Sequence, residues 1–469
     1  MSSDRQRTEN FREHLGNVTQ SGKRIWLYPK IIKGKWYKYR SWLSYALFVL
    51  LFAGPWIRIK GNPILLLNII ERKFVIFGSP FWPQDFYIFA FGLVVAILFV
   101  VLFTVIFGRI WCGWACPQTI FMEMVFRKIE NWIEGNSVSQ KKLDAMPWNT
   151  EKILKKGSKH LIFYLISFLI ANTFLAYIIG SDALIKIITE PIGIHMVGFI
   201  AIIIFTFVFY LVFAKLREIV CIIICPYGRL QGVMLDPNSV VVAYDYKRGE
   251  PRGKIRKSEE QTDKGDCIDC GLCIDVCPTG IDIRNGTQLE CINCTACIDA
   301  CNPVMEKINK PQGLIRFDSV TNIEKGTGFK WTPRMIGYSV LLIVLTIVLG
   351  YILATRQEID ASVLRSPGSN FTTDQEGYVT NIYNLELVNK TFEDTQFDLV
   401  SENKDAKIIF IDADHAVLGG EVVKRVFLIK MPQQAVTRNK TKLKLSLYTN
   451  GKFNAFLETS FLGPIAGLK

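Results

Sequence analysis

Twelve cysteines set the chemical range of this 469-residue chain, and eight of them fall into two runs of one spacing, Cys-x-x-Cys-x-x-Cys-x-x-x-Cys. The first run is Cys267, Cys270, Cys273 and Cys277; the second is Cys291, Cys294, Cys297 and Cys301, each 24 positions further on. Three thiolates two residues apart can wrap one cube in a tight loop. The fourth, next to a proline, leaves the loop and reaches a second cube. That is the ligand pattern of a two-cluster bacterial-type ferredoxin. It assigns Cys267, Cys270, Cys273 and Cys301 to one [4Fe–4S] cluster, and Cys291, Cys294, Cys297 and Cys277 to the other. Zinc sites draw on two separated pairs rather than triplets, so zinc fits the spacing poorly. Asn302 separates Cys301 from Pro303, whereas Cys277 meets Pro278 directly, so the two runs should leave their loops differently.

The other four cysteines form two pairs, Cys112/Cys116 and Cys221/Cys225, each written Cys-x-x-x-Cys-Pro just past an apolar run. This is an internal repeat of a hairpin ending in two thiols, and it leaves no cysteine for a structural disulfide. A spacing of four puts both thiols of a pair on one helix face. Pro117 and Pro226 favour the first position of a new helix, so Cys116 and Cys225 should sit at helix N-caps, where the thiolate is favoured. Such thiolates suit copper as Cu(I), a zinc ion, another cluster or a cycling dithiol. The bland alternative is four buried structural thiols. The repeat predicts that all four converge on one site. Met122 and Met124 lie close enough in sequence to assist copper, although Met124 is expected to face lipid. The histidines are His14, His160, His195 and His415. His160 and His195 are expected on opposite membrane sides, which argues against a bis-histidine haem.

These thiols must be positioned by a membrane protein. Half of the residues are hydrophobic and 12% aromatic. Apolar segments near 41–58, 86–107, 160–180, 194–214 and 335–354 predict about five spans of an α-helical bundle. Segment 63–70 is too short to cross and reads as re-entrant or interfacial. The net charge of +13 fits basic cytoplasmic loops better than nucleic acid. The tail 1–40 carries ten Lys/Arg against three Asp/Glu. Its first part reads as disordered, and its aromatic part from Lys23 to Arg40 as an interfacial anchor. The loop 108–159 carries nine Lys/Arg, which places it inside together with the segment 215–334. That segment holds the ferredoxin domain (about 258–310, α+β). The helix after Pro117, with Phe121, Met124, Val125, Ile129 and Trp132 on one face and Glu123, Arg127, Lys128 and Glu130 on the other, is expected along the inner membrane surface. Residues 355–469 alternate like strands over Val379–Val388, Lys407–Ile411, Val422–Ile429, Leu443–Tyr448 and Phe453–Phe461, and predict an immunoglobulin-like β-sandwich outside. Lys60, Arg72 and Lys73 fall on the predicted outer face without a physical account. No cleaved signal peptide is read at the N-terminus.

The chain resembles the CcoG/FixG/RdxA family of membrane polyferredoxins, accessory proteins of cbb(3)-type cytochrome c oxidase. The resemblance rests on Tyr28-Pro29 with Gly34-Lys35, Glu71-Arg-Lys-Phe74, Pro83-Gln-Asp-Phe86, Gly108-Arg-Ile-Trp-Cys-Gly-Trp-Ala-Cys-Pro-Gln-Thr119, Ile129-Glu-Asn-Trp-Ile-Glu-Gly135, Cys225-Pro-Tyr-Gly-Arg229 and Asn389-Lys-Thr391. It implies a multi-pass protein of the bacterial inner membrane, with the ferredoxin domain cytoplasmic and the C-terminal domain periplasmic. It implies a cupric reductase: the clusters carry electrons, and Cys112, Cys116, Cys221 and Cys225 bind and reduce copper needed for oxidase assembly. Implied partners are membrane lipid, oxidase subunits or a copper chaperone or transporter, an electron donor that is either quinol or a soluble reductant, and a second copy in a homodimer. The membrane motif also resembles NapH-type quinol dehydrogenases, which makes an electron relay from quinol the alternative. A non-catalytic assembly scaffold is the third reading.

Overall fold

The computed structural model describes residues 24–464, apart from 60–61, 69–72, 77, 82–84, 255–263, 367, 369–370, 376, 392, 413–414 and 437. His14, the first part of the basic tail, Lys60 and Arg72 therefore lie outside the described residues. The chain divides into two units: one runs to Trp56 and resumes over Ala90–Leu349, the other comprises Ile57–Phe89 and Gly350 onward.

Helices lying wholly or mostly in the first unit include α1 (Lys35–Ala53), α2 (Phe86–Phe107), α3 (Pro117–Phe121), α4 (Arg127–Glu134), α5 (Thr150–Ile179), α6 (Met196–Leu211), α7 (Pro226–Met234), α8 (Ala296–Lys307) and α9 (Pro333–Ala354). Among the described residues, four are long and apolar enough to cross a bilayer: α2, α5, α6 with its continuation to Leu216, and α9. The expected first span is α1, which does not qualify. Its N-terminal half carries Lys35, Lys38 and Arg40, and Gly54-Pro55 ends it. The apolar part from Trp42 to Ala53 rises about 18 Å at 1.5 Å per residue, short of a hydrocarbon core of roughly 30 Å.

The segment after Pro117 packs into protein on both of its faces instead of leaving its apolar face open. Helix α3 widens into a π-turn at Met122–Phe126 before α4. Phe121, Met122, Met124 and Phe126 are all buried there. Phe126 stacks on Phe213 at 4.4 Å and meets Phe163 of α5 edge-on at 4.8 Å. The expected solvent face is buried in part: Arg127 and Glu130 are buried, while Glu123 and Lys128 are half-buried. Glu130 takes a bidentate contact from Arg217 (3.1 and 2.7 Å) and one from Lys159 (3.3 Å), while Glu134 pairs with Lys159 and Lys156. Trp132 alone of the predicted apolar face stays open, 78% exposed. The strap Arg24–Gly34, expected as part of an interfacial anchor, also makes contacts with protein. Arg24 and Arg217 both stand over the Trp26 ring, at 4.6 and 4.4 Å, and the Lys30 amide donates to Asp275 O. This strap packs on protein.

The ferredoxin stretch closes with an antiparallel strand pair, Val241–Tyr244 against Ile315–Asp318. Its two cysteine loops repeat in backbone as in sequence. Asp269 and Asn293 share φ near +53°, and Gly271 (+71°) matches Thr295 (+66°). Alternating right- and left-handed residues turn backbone N–H groups toward a common centre. The exits differ as Asn302 suggests: Cys277 follows a short helix Leu272–Asp275, whereas Cys301 lies inside α8, which also contains Pro303.

The second unit carries an antiparallel sheet β1 (Leu65–Asn68), β2 (Lys73–Ile76), β3 (Ser79–Phe81), so the short apolar segment expected as re-entrant or interfacial holds a strand at Leu65–Asn68. Its C-terminal part is a two-sheet sandwich of β4 (Ile359–Arg365), β5 (Thr372–Thr373), β6 (Tyr378–Asn389), β7 (Thr395–Ser401), β8 (Lys407–Phe410), β9 (Ala416–Val417), β10 (Val422–Pro432), β11 (Lys440–Thr449) and β12 (Lys452–Leu462). The sheets are ordered β8-β10-β6-β4, with β5 on β6, and β9-β7-β11-β12. Strict alternation along β6 buries Val379, Asn381, Tyr383, Leu385 and Leu387. Tyr383 stacks on Phe427 at 5.4 Å, and its hydroxyl crosses to donate to Ser460 O at 3.0 Å. Asp85 is buried against the sandwich, with Lys390 Nζ at 2.5 Å and Arg356 Nη2 at 2.7 Å; Lys390 also pairs with Asp360 at 2.6 Å.

Candidate metal centre

The two membrane-side motifs are built alike. Gly108 (φ +60°) and Arg217 (φ +51°) occupy equivalent places in the repeat, each ending a span in left-handed backbone. Gly108 meets that demand without strain; Arg217 does not, and is held by Glu130 and Trp26. Each second cysteine then closes a wide turn to the residue five back: Cys116 N donates to Trp111 O at 2.9 Å, and Cys225 N to Val220 O at 2.7 Å. Cys116 and Cys225 are the N-caps of α3 and α7, with Pro117 and Pro226 in the first helical turn.

The four thiols lie within electrostatic reach of one another. Cys112 senses Cys116 and Cys225, and Cys221 senses Cys116, Cys112 and Cys225. Burial pushes the Cys112 thiol up to about 11 against the pull of Arg109, and the Cys221 thiol up to about 12. Burial also raises Cys116, although the Thr119 and Gln118 amides of the helix start pull the other way. The expectation that a helix N-terminus leaves a resting thiolate thus fails at Cys116, because desolvation outweighs the two amides.

Gln231 is fully buried beside them. Its Oε1 accepts from Cys112 Sγ at 3.0 Å and from Arg109 Nε at 3.2 Å. Met122 and Met124 are buried, so Met124 does not face lipid; the Ser41 hydroxyl donates to its sulfur at 3.8 Å. His160 contacts Tyr210, His195 pairs with Glu190, and His415 packs on Phe397 and Phe410, so these three do not join the thiols.

The ferredoxin loops come to this site. The backbone of Gly113 abuts the Ile292–Cys294 loop so closely that an added Cβ would stand 2.2 Å from Ile292 O and 3.1 Å from Cys294 N. Trp114 Nε1 donates to Asn293 O at 3.1 Å, Arg109 Nη1 donates to Leu289 O, and Arg127 Nη2 donates to Pro278 O at 3.2 Å. Arg40 Nε donates to Gly113 O at 2.7 Å.

Cys277, Cys291, Cys294 and Cys297 line one cavity with Val242, Ile281 and Ile292. Cys267, Cys270, Cys273 and Cys301 line a second with Leu272 and Ile315, and Cys273 borders both. The electrostatic neighbours of Cys301 are Cys273, Cys267 and Cys270; those of Cys297 are led by Cys294, Cys291 and Cys277. Two apolar cavities, one with five thiols at its wall and one with four, Cys273 shared between them, suit iron–sulfur clusters by donor chemistry. Of the eight cysteines only Cys270 is exposed. Among the described residues, no three His, Cys, Asp or Glu side chains converge closely enough to hold a single ion, the ferredoxin cysteines included.

Several residues of this junction carry no signal in the cysteine pattern. Asp299, between Cys297 and Cys301, is buried and accepts from the amides of Trp36 (3.1 Å) and Tyr37 (2.7 Å), capping α1 from a distant helix. Gln231 is equally silent, and Gly113 and Arg109 stand out only as neighbours of Cys112.

Comparison with known proteins places these features in a family. A family described as "4Fe-4S dicluster domain" matches residues 216–320, a "4Fe-4S binding domain" matches 89–137, and the "IG-like fold at C-terminal of FixG" matches 349–464. Protein RdxB of Cereibacter sphaeroides is 35% identical over 81% of this chain and 83% of its own. Protein RdxA of the same organism is 34% identical over 80% and 81%. Nitrogen fixation protein FixG of Rhizobium meliloti is 32% identical over 82% and 80%. A crystal structure of a FixG-related protein from Vibrio parahaemolyticus covers 24% of this chain and all of its own, at 19% identity and a TM-score of 0.20.

Proposed function

This chain belongs to the FixG/RdxA family, and on that premise we propose that it is a membrane-bound iron–sulfur electron-transfer protein that reduces Cu(II) to Cu(I) at Cys112, Cys116, Cys221 and Cys225. The observation that carries this reading is the contact of Gly113, between the first two of those thiols, with the Ile292–Cys294 loop. Cys267, Cys270, Cys273 and Cys301 would hold one [4Fe–4S] cluster, and Cys277, Cys291, Cys294 and Cys297 the other. Such a cluster, when bound, supplies one-electron chemistry, and each Cu(II) takes one electron to become Cu(I).

The chain's own residues set the rest. Burial keeps Cys112 and Cys221 protonated in the absence of metal, so copper binding releases protons. Gln231 Oε1 holds the Cys112 proton. Thiolates favour the soft Cu(I) over Cu(II), which makes the reduction more favourable once copper is bound. The product would pass to a copper-handling partner, such as a cbb(3)-type oxidase or its chaperone.

A second reading is favoured by the match of the "4Fe-4S binding domain" to 89–137, which contains Cys112 and Cys116: the four thiols hold a further cluster instead of copper. Iron analysis separates the two, with about eight irons per chain for two clusters and about twelve for three.

To test copper reduction, the protein is purified under argon, reduced, and titrated with Cu(II). Iron–sulfur absorbance should return to its oxidised form in step with Cu(I) trapped by a chelator. Reduction of the oxidised clusters by a quinol, with no reoxidation by Cu(II), would replace this reading with the quinol relay.

A further inference from the structure

A cavity of about 440 Å³ opens at the start of α1, away from every cysteine, lined by Lys33, Lys38, Lys128, Tyr37, Trp42 and Tyr45. No carboxylate lines it, and none of the three lysines has an ion-pair partner among the described residues. Lys128 Nζ sits over the rings of Tyr37 (5.5 Å) and Tyr45 (5.4 Å) and donates to the Tyr45 hydroxyl at 3.4 Å. Three unneutralised ammonium groups around one hollow create a strong local preference for an anion with several acceptor oxygens. The cavity also lies where α1 changes from basic to apolar sequence. Trp42 is 76% exposed and Tyr45 52% exposed there, as aromatic side chains are at a membrane–water interface.

We propose that this cavity binds a phosphate-bearing headgroup, with Lys33, Lys38 and Lys128 on the phosphate and Trp42 and Tyr45 flanking it. Phosphate can come from an anionic phospholipid or from a free phosphate. The aromatic pair on the apolar side favours the lipid. Tyr37 lines this cavity and also the neighbouring one that reaches Cys294, and its amide is bonded to Asp299. Occupancy therefore bears on the attachment of the cysteine-carrying helix α8.

The test is native mass spectrometry of the full chain in neutral detergent after delipidation. Wild type should retain phosphatidylglycerol and not phosphatidylcholine. The K33Q/K38Q/K128Q variant should retain it about a hundredfold less, since each lysine near an anionic lipid contributes about 1 kcal/mol. The matching triple arginine variant should retain it. In a second arm, millimolar inorganic phosphate that raises the unfolding midpoint of wild type but not of the glutamine variant, without phosphatidylglycerol retention, supports the site and assigns it to soluble phosphate. Equal retention of the two lipids with no phosphate effect overturns the proposal. So does undiminished phosphatidylglycerol retention by the glutamine variant. Iron content reports whether that variant is folded. If it is not, K33Q/K38Q, which alters only exposed lysines, decides by the same criteria.

Discussion

The backbone of Gly113 lies against the carbonyl of Ile292, leaving no room for a side chain: a Cβ would stand 2.2 Å from that oxygen. The obstacle is backbone on both sides, so neither partner can rotate away. Gly113→Ala should force the cysteine loop off the membrane-side motif at a cost of about 1–3 kcal/mol, typical of overpacking. Iron content should stay at the wild-type value while Cu(II)-driven reoxidation slows. An unchanged rate would mean that this contact does not matter for electron delivery.

Asp299 and α1 give a second prediction. The two Asp299 oxygens each take one amide, Oδ1 from Trp36 and Oδ2 from Tyr37. Asp299→Ala removes both acceptors and should cost about 1 kcal/mol or more, the usual cost of a lost helix cap. Asp299→Asn keeps one oxygen and should cost less. Thermal unfolding followed by iron–sulfur absorbance ranks the three proteins; an alanine variant as stable as wild type would contradict the cap.

The buried charge network predicts a pH dependence. Burial alone would push the Glu130 carboxyl up, but the Arg217 contact and the charges of Lys159 and Arg127 outweigh it and hold it below 4.5. A carboxyl lowered in the folded state stabilises fully above its unfolded value and loses that contribution as pH falls through its folded value. Glu130→Gln should cost about 3–5 kcal/mol near neutrality, because Arg217 remains buried without its counter-charge. The gap between wild type and variant should hold constant from neutral pH down to about 4.5 and narrow below it. Urea unfolding at a series of pH values reads this directly, and a gap that widens in acid would reverse the sign.

In the second unit, Asp85 and Lys390 come from stretches far apart in sequence and meet at 2.5 Å. Asp85→Asn leaves Lys390 and Arg356 facing a neutral group and should lower the stability of that unit by about 3–5 kcal/mol. The Asp85→Asn, Lys390→Met pair should recover much of the loss, since it removes both charges. Limited proteolysis of residues 350–464 is the readout; no change in the single variant would show that the pair contributes little.

The parts of this molecule legible in sequence are those written in a short period. Alternation gave the sandwich strands, apolar length gave four of the helices, and cysteine spacing with Pro117 and Pro226 placed the two N-caps. What escaped was written across long separations. The local pair of Arg127 with Glu123 reads as a solvated face, because the partners Arg217 and Glu218 that help bury Glu130 and Arg127 lie some 90 residues away. The amphipathic pattern after Pro117 is real, but its polar face meets an ion network instead of water. The aromatic strap Arg24–Gly34 has an interfacial composition, yet Trp26 is claimed by two arginines. The apolar run 63–70 is too short to read as a span, and the pairing of Leu65–Asn68 with β2 makes that part a strand. Burial of the thiols, which sets their protonation, depends on packing that spacing does not encode.

The most direct test of copper reduction at the four membrane-side thiols compares wild type with the Cys116→Ser, Cys225→Ser double variant. Both are reduced under argon, mixed with Cu(II), and followed by iron–sulfur absorbance and chelated Cu(I), with iron counted beforehand. The double variant should carry the wild-type iron content and fail to reduce copper, at a cost little greater than that of either single variant, because thiols acting as one unit are not additive. Copper reduction at the wild-type rate, with full iron content, would contradict the account.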